Sequence, residues 1–288
     1  RGNAPAQEGA KAILAWFDSA IPKLQEAARN SGHAPSRIGI GFGGPVNSTA
    51  GCVLKSHQVS GWDDYPLTSH FEQRFKLPAR LYNDSNAAGW GEYRLGAGKG
   101  TRHFCYMNIG SGIGGAIILD GRLHDGQGLG AGEIGHTWVP DWTADAPGVA
   151  SKLEDLCSGW SIERRLRTTE RPPQDSLLHQ RCGGNYETLT CAMLAQAAAE
   201  GDAYAQAQIG RLAEAIGTAL GNVITLVHPE RIAIGGGVSL MGEALLEPLR
   251  EATERRVFGP FRRSCEIVGC QLGEHVVLAG ALLLSLQQ

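Results

Sequence analysis

Residues 108–123 read NIGSGIGGAIILDGRL, a glycine cluster set between two apolar runs. Gly110, Gly112 and Gly115 satisfy G-x-G-x-x-G, the spacing of a dinucleotide-binding loop. That loop requires a helix directly after it, because the pyrophosphate rests on the helix N-terminus. Here the chain continues as AIILDG over 116–121, an aliphatic run that closes on an Asp-Gly turn, which is strand and hairpin chemistry. The dinucleotide reading therefore fails on context. What remains is a strand pair, 104–109 and 116–119, joined by the glycine loop 110–115. Bare backbone N–H groups in such a loop can approach an anion closely. A tight hairpin also needs glycine for positive φ alone, and both readings stand on these residues.

Toward the N-terminus, residues 79–82 form a strand ending at Asn83-Asp84, followed by an alanine-rich helix over 85–93 that Asp84 or Ser85 can cap. Before it, residues 37–46 (RIGIGFGGPV) read as a buried strand running into a glycine turn. Still earlier, Ile13, Leu14, Phe17, Ile21 and Leu24 have helical spacing over 8–29, interrupted by Pro22. Toward the C-terminus, a glycine-rich stretch leads to GAGEIGH over 130–136, and from Leu153 the pattern is mostly helical. Residues 186–200 and 203–227 are the clearest helices. Arg231-Ile-Ala-Ile is a strand ending in Gly235, Gly236 and Gly237, with a helix following over 242–256. Strands and helices alternate, so the class is α/β.

Composition bounds the function. The chain has 288 residues, enough for one large or two medium domains with a sizeable core. Its net charge of −3 offers no basic excess for nucleic acid or an anionic membrane. Glycine is the outlier, 40 residues, about twice the usual share and gathered in a few loops, which directs attention there. The 7 cysteines are odd in number and contain no C-x-x-C pair, which reads as reduced thiols of a cytoplasmic chain. The longest near-apolar run, 276–286, is too short to span a bilayer.

Six separated stretches carry a resemblance: IGIGFGGPVN (38–47), NDSNAAGWGEYRLG (83–96), NIGSGIGGAIILDGRL (108–123), GAGEIGH (130–136), LEDLCSGWSI (153–162) and HPERIAIGGGVS (228–239). In this order and over nearly the whole chain, they resemble the ROK family of bacterial sugar kinases and sugar-responsive repressors. The resemblance implies an actin/hexokinase-like (ribonuclease H-like) fold of two α/β domains around a central cleft. The expected division is 1–88 plus 275–288 as a small domain and 89–274 as a large one. The implied function is an ATP-dependent kinase that phosphorylates the 6-hydroxyl of a hexose, glucose first, with Mg²⁺ as cofactor. The implied partners are the hexose and a second copy of the chain in a homodimer.

Carried over residue by residue, Gly110, Ser111, Gly112 and Gly114 would contact ATP phosphates, and Gly235, Gly236 and Gly237 the nucleoside. Asp84 matches the family's catalytic aspartate, which accepts the proton of the sugar hydroxyl; on local chemistry alone it reads first as a helix cap. Asn83, Gly44, Glu133, His136 and Glu154 match sugar-contacting positions. For the two glutamates the bland alternative is a solvated surface charge, and for His136 a satisfied buried histidine. Gln58 stands where many relatives carry a sugar-contacting asparagine, a departure that bears on sugar identity.

Two further departures matter. In the family, the counterpart of His136 usually binds Zn²⁺ with three cysteines of a following C-x-C-G-x-x-G-C segment, whereas residues 137–153 contain no cysteine and the next is Cys157. A local thiolate zinc site is not expected. The family's opening Asp-x-Gly-Gly-Thr hairpin is also missing, and the chain starts at Arg1. That start suggests a longer protein carrying the hairpin upstream, against a degenerate relative. A repressor with an upstream DNA-binding domain and an inactive sugar-binding protein are the rival functions.

Overall fold

The computed structural model describes residues 2, 6–56 and 58–287, so Arg1, the start of the expected small domain, lies outside the described residues. The chain opens with α1 (Ala10–Asn30), β1 (Ile38–Phe42), β2 (Val46–Asn47), β3 (Cys52–Val53), α2 (Leu67–Phe75), β4 (Ala79–Asn83) and α3 (Asp84–Leu95). It continues through β5 (Phe104–Ile109), β6 (Ile113–Leu119), β7 (Arg122–Leu123), β8 (Trp138–Pro140), β9 (Ala150–Lys152), α4 (Leu153–Cys157) and α5 (Gly159–Arg167). The last part is α6 (Leu177–Cys182), α7 (Cys191–Ala199), α8 (Ala203–Val227), β10 (Arg231–Gly235), α9 (Glu243–Glu254), β11 (Glu266–Gly269) and α10 (Val276–Ser285).

Two parallel pairings place the site. β1 runs beside β4, from Ile38 opposite Ala79 to Phe42 opposite Asn83. The larger sheet has the order β11-β10-β5-β6-β7, with β10 parallel to both of its neighbours and β5, β6 and β7 antiparallel in sequence. Its side chains sort by the period of two that a strand imposes. Phe104 and Tyr106 join Ala116, Ile118 and Ala233 on the side of α3 and α10. Cys105, Met107 and Ile109 join Ile232, Ile234 and the α8 residues Ile209, Leu212, Ile216 and Leu220 on the other. A sheet covered on both faces wants apolar residues at nearly every position, which is why β5 is polar only at Asn108. A third core, with Leu14, Val46, Trp62, Phe71 and Leu81, fills the space under α1 and α2.

Helix α10 returns the C-terminus to the start of the chain, packing along α3 and β1. Gly280 lies so close to the Ala87 carbonyl that any Cβ would overlap it, so the two helices meet backbone to backbone. The fully buried Glu92 carboxylate fastens the far end of α3 by accepting from the amides of Ala97, Gln271 and Leu272 at 2.7–2.9 Å.

Several local expectations are corrected. Pro22 does not interrupt α1, because it sits on the exposed face, where water can satisfy the carbonyl its missing N–H leaves free. Leu24 likewise faces solvent, at 68% exposure. The stretch 186–200 is a 3-10 turn (Tyr186–Thr188) and then α7, which Thr190 starts by capping the amide of Met193. The returning hairpin strand begins at Ile113 rather than at 116, leaving a loop of only Gly110, Ser111 and Gly112.

Candidate active site

Asn83 ends β4 and, rather than Asp84 or Ser85, caps α3. Its Oδ1 accepts from the amides of Ser85 (2.9 Å) and Asn86 (3.1 Å), and its Nδ2 donates to the carbonyl of Gly44 (3.2 Å). The cap thus bolts the β1 turn to the β4 turn. Most of the polar capacity of Asn83 is spent on backbone, leaving one N–H free for a ligand.

Asp84 is left in a different state. Its Oδ1 accepts from the amide of Ser85 at 2.8 Å, with the Ser85 hydroxyl at 3.5 Å. Its Oδ2 points toward Gly43, 3.4 Å from where a Cβ on that residue would stand. Among the described residues no cation lies within ion-pair distance of it. Burial pushes the Asp84 carboxyl above the usual carboxylate range, opposed in part by the hydrogen bonds from Ser85. A half-buried carboxylate with one oxygen uncommitted, at the carboxyl ends of two parallel strands, has the chemistry of a general base.

The hairpin stands beside it. Ser85 packs directly on Gly114, so Gly114 lies within β6 against the first turn of α3, while the exposed Ser111 forms the loop tip. The loop closes through the amide of Gly110 donating to the Gly112 carbonyl at 2.9 Å, and the Gly110 carbonyl accepts from the amide of Gly159 at 2.7 Å. The Gly110 amide is spent on that closure, and the amides of Ser111 and Gly112 are the ones left to receive an anion. The glycine triplet adjoins the hairpin because β10 and β5 are parallel neighbours, with Gly235 opposite Asn108. Gly236 has φ +85°, and a Cβ there would lie 2.5 Å from the backbone of Ile109, so only glycine lets the two loops touch. Gly237 is exposed and opens the 3-10 turn Gly237–Met241.

Glu154 and His136 form the third wall. Glu154 Oε2 accepts from the amide of Ile113 at 3.2 Å, and Oε1 lies 3.5 Å from His136 Nε2. Glu154 is therefore no free surface charge, and His136 is no buried histidine, its side chain being 51% exposed. Glu133 is exposed at the start of the 3-10 turn Ile134–His136. Gln58 is exposed in the turn after Lys55, its backbone amide donating to Ser56 Oγ at 3.3 Å, and no hydrogen bond among the described residues ties its side chain to this site.

Where the family pattern would put a cysteine-rich segment, the chain forms the hairpin β8–β9. Asp141 ties its tip: Oδ1 accepts from the amide and hydroxyl of Thr143, Oδ2 from the hydroxyl of Ser151, all at 2.7 Å, and its own amide donates to the Val149 carbonyl at 2.9 Å. Burial works against the ionised form, yet these hydrogen bonds and the charge of Arg165 hold the Asp141 carboxyl below its usual value. The feet of this hairpin are Thr137 and Leu153, joined by a 2.9 Å hydrogen bond, and next to them stand His136 and Glu154.

Two positioning residues escape the motif reading. Ser85 seats α3 on the hairpin, and Asn86 Nδ2 donates to the carbonyls of Gly115 and Ala131, both at 3.0 Å, which holds the 130–136 segment against β6. Their one signal is polarity in the first turn of an otherwise alanine-rich helix.

A sequence profile of the ROK family matches residues 5–288. The glucokinase of Streptomyces coelicolor is 33% identical over 266 residues, spanning 91% of this chain and 83% of its own. The xylose repressor of Caldicellulosiruptor bescii is 29% identical over 255 residues, 85% of this chain and 61% of its own. A solved ROK family glucokinase from Streptomyces griseus, in complex with glucose and AMPPNP, superposes with a TM-score of 0.80 at 31% identity, covering 99% of this chain and 90% of that one. The fold is accordingly actin/hexokinase-like. By profile, by identity along nearly its whole length and by fold, the chain belongs to the ROK family.

Proposed function

We propose that the protein is an ATP-dependent sugar kinase that transfers the γ-phosphate to the 6-hydroxyl of a hexose, with glucose as the first candidate. The observation that carries this reading is Asp84, a half-buried carboxylate with a free oxygen placed one residue from the packing contact between α3 and the glycine hairpin. Phosphoryl transfer asks the protein for alignment and charge placement more than for covalent chemistry. In this reading Asp84 takes the proton of the attacking hydroxyl. The backbone of Gly110, Ser111 and Gly112 holds the phosphates, with Gly114 supporting the loop from β6. Gly235, Gly236 and Gly237 form the nucleoside wall. Glu133, His136 and Glu154 orient the sugar, with Asn83 and the Gly44 turn at its reactive end; Gln58 would reach it only from the neighbouring turn.

The uncommitted amides of Ser111 and Gly112 fit a polyphosphate, and Mg²⁺ carried on the ATP phosphates would supply the neutralisation that the transferred group requires. We further take residues 1–88 with 275–288 as one unit and 89–274 as the other, and a homodimer as the assembly. The relatives at glucokinase and repressor support a sugar as ligand in either case. An ATP-coupled panel of hexoses on the full-length protein tests the reading: turnover with glucose is expected. Tight hexose binding without ATP consumption would overturn it in favour of a sugar sensor.

A further inference from the structure

Trp160 begins the exposed face of α5 and is 61% exposed, a large apolar ring left in water. The preceding Gly159 donates to the Gly110 carbonyl at 2.7 Å, and a Cβ at Gly159 would stand 3.0 Å from that oxygen and 3.4 Å from Cγ2 of Val238. Trp160 therefore leaves the backbone where the hairpin loop meets the turn that follows the glycine triplet. Ser161, Ile162, Arg165 and Leu166 turn the other face of α5 into the core. Helical side chains lean toward their N-terminus, which from Trp160 is toward the Gly110 loop.

The ring is also held. Arg164, one turn on, places Cζ 4.7 Å from the ring centroid, a cation–π contact that covers one face and limits its rotation. Leu240, 86% exposed on the 3-10 turn Gly237–Met241, adds apolar surface on the triplet side. A fixed aromatic face beside a loop suited to phosphates matches the flat, apolar base of the nucleotide that would bring those phosphates.

Resting on the kinase reading, we propose that Trp160, braced by Arg164, is the stacking platform for the base of the nucleotide at the junction of the two glycine loops. It makes the protein prefer a nucleotide over a phosphate donor that lacks a base. One aromatic–base stack is enough to change affinity by about tenfold or more.

The test compares ATP with inorganic tripolyphosphate, binding of each being measured on the wild type, W160A, W160F and R164A. W160A is expected to weaken ATP about tenfold and leave tripolyphosphate unchanged, W160F to recover most of the loss, and R164A to fall between. ATP should quench the tryptophan emission of the wild type, and W160F should lose that quench. If W160A binds ATP as the wild type does, or weakens both ligands equally, the platform is overturned while the kinase reading stands. A wild type that binds neither ligand overturns both.

Discussion

Two neighbouring residues, Asn83 and Asp84, divide the work of one strand end. Asn83 spends its side chain on the helix cap, so Asp84 is released from that role. Asp84→Asn then separates its remaining functions. If Asp84 is the base, kcat should fall by roughly 10²–10⁴, about 3–5 kcal/mol of transition-state stabilisation. Sugar affinity should change far less. Stability should not fall, and the sign follows from burial. A carboxyl whose folded pKa is raised costs the folded state most above that pKa, where it is charged, and the cost fades as pH drops toward its unfolded value. At neutral pH the amide removes that cost, so Tm should hold or rise. Wild-type turnover should decline as pH falls through a value above the ordinary carboxylate range; a variant with near wild-type kcat would end the assignment. Glu154→Gln keeps an acceptor for the Ile113 amide but weakens the charge facing His136. Sugar KM should rise about tenfold with ATP KM little changed, as steady-state kinetics with each substrate varied would read.

Among the elements, the β8–β9 hairpin has a backbone ladder from Trp138 opposite Lys152 to Pro140 opposite Ala150, and Asp141 adds side-chain ties at its tip. The ladder and the Thr137–Leu153 hydrogen bond set the feet beside His136 and Glu154, and the Asp141 hydrogen bonds steady the other end of the same hairpin. Asp141→Ala removes three accepted hydrogen bonds and should cost about 1–2 kcal/mol of stability. Because its effect reaches the site only through the feet, sugar KM should rise while kcat at saturation is largely kept, and Asp141→Asn should rescue part of the loss. A fall in kcat with unchanged KM would place Asp141 elsewhere in the mechanism. The carboxyl of Asp141 is held low, so its contribution is present at neutral pH and is lost as pH falls through its depressed value.

On the scale of the whole molecule, α3 carries Asp84 and is packed between the hairpin strands β5 and β6 on one side and α10 on the other, so the packing of α3 with α10 bears on how Asp84 is seated against the hairpin. Gly280→Ala puts a methyl group onto the Ala87 carbonyl and must push the helices apart. Overpacking of this kind costs about 1–3 kcal/mol. Since α3 carries Asp84 at its first position, kcat should drop together with Tm, although residue 280 is far in sequence from every site residue. A Tm unchanged from wild type would show that the helices can part without consequence.

The stretches from residue 38 to residue 239 carried the α/β class and the hairpin, because glycine loops at strand ends leave a local signature, and the family came from their resemblance to known sequences. The failure of the dinucleotide reading was legible too, since a strand rather than a helix follows Gly115. What the chain order could not express were contacts between distant segments. The cap passed to Asn83 because three donors and acceptors converge there from β1 and α3, and Glu154 gained its role from an amide 41 residues away. Pro22 stayed inside its helix because solvent lies on that side. Asp141 looks like any loop aspartate until Ser151 folds back onto it. Local spacing records what the backbone of one segment prefers; which side chain is left with an uncommitted atom depends on what the rest of the fold brings within 3 Å of it.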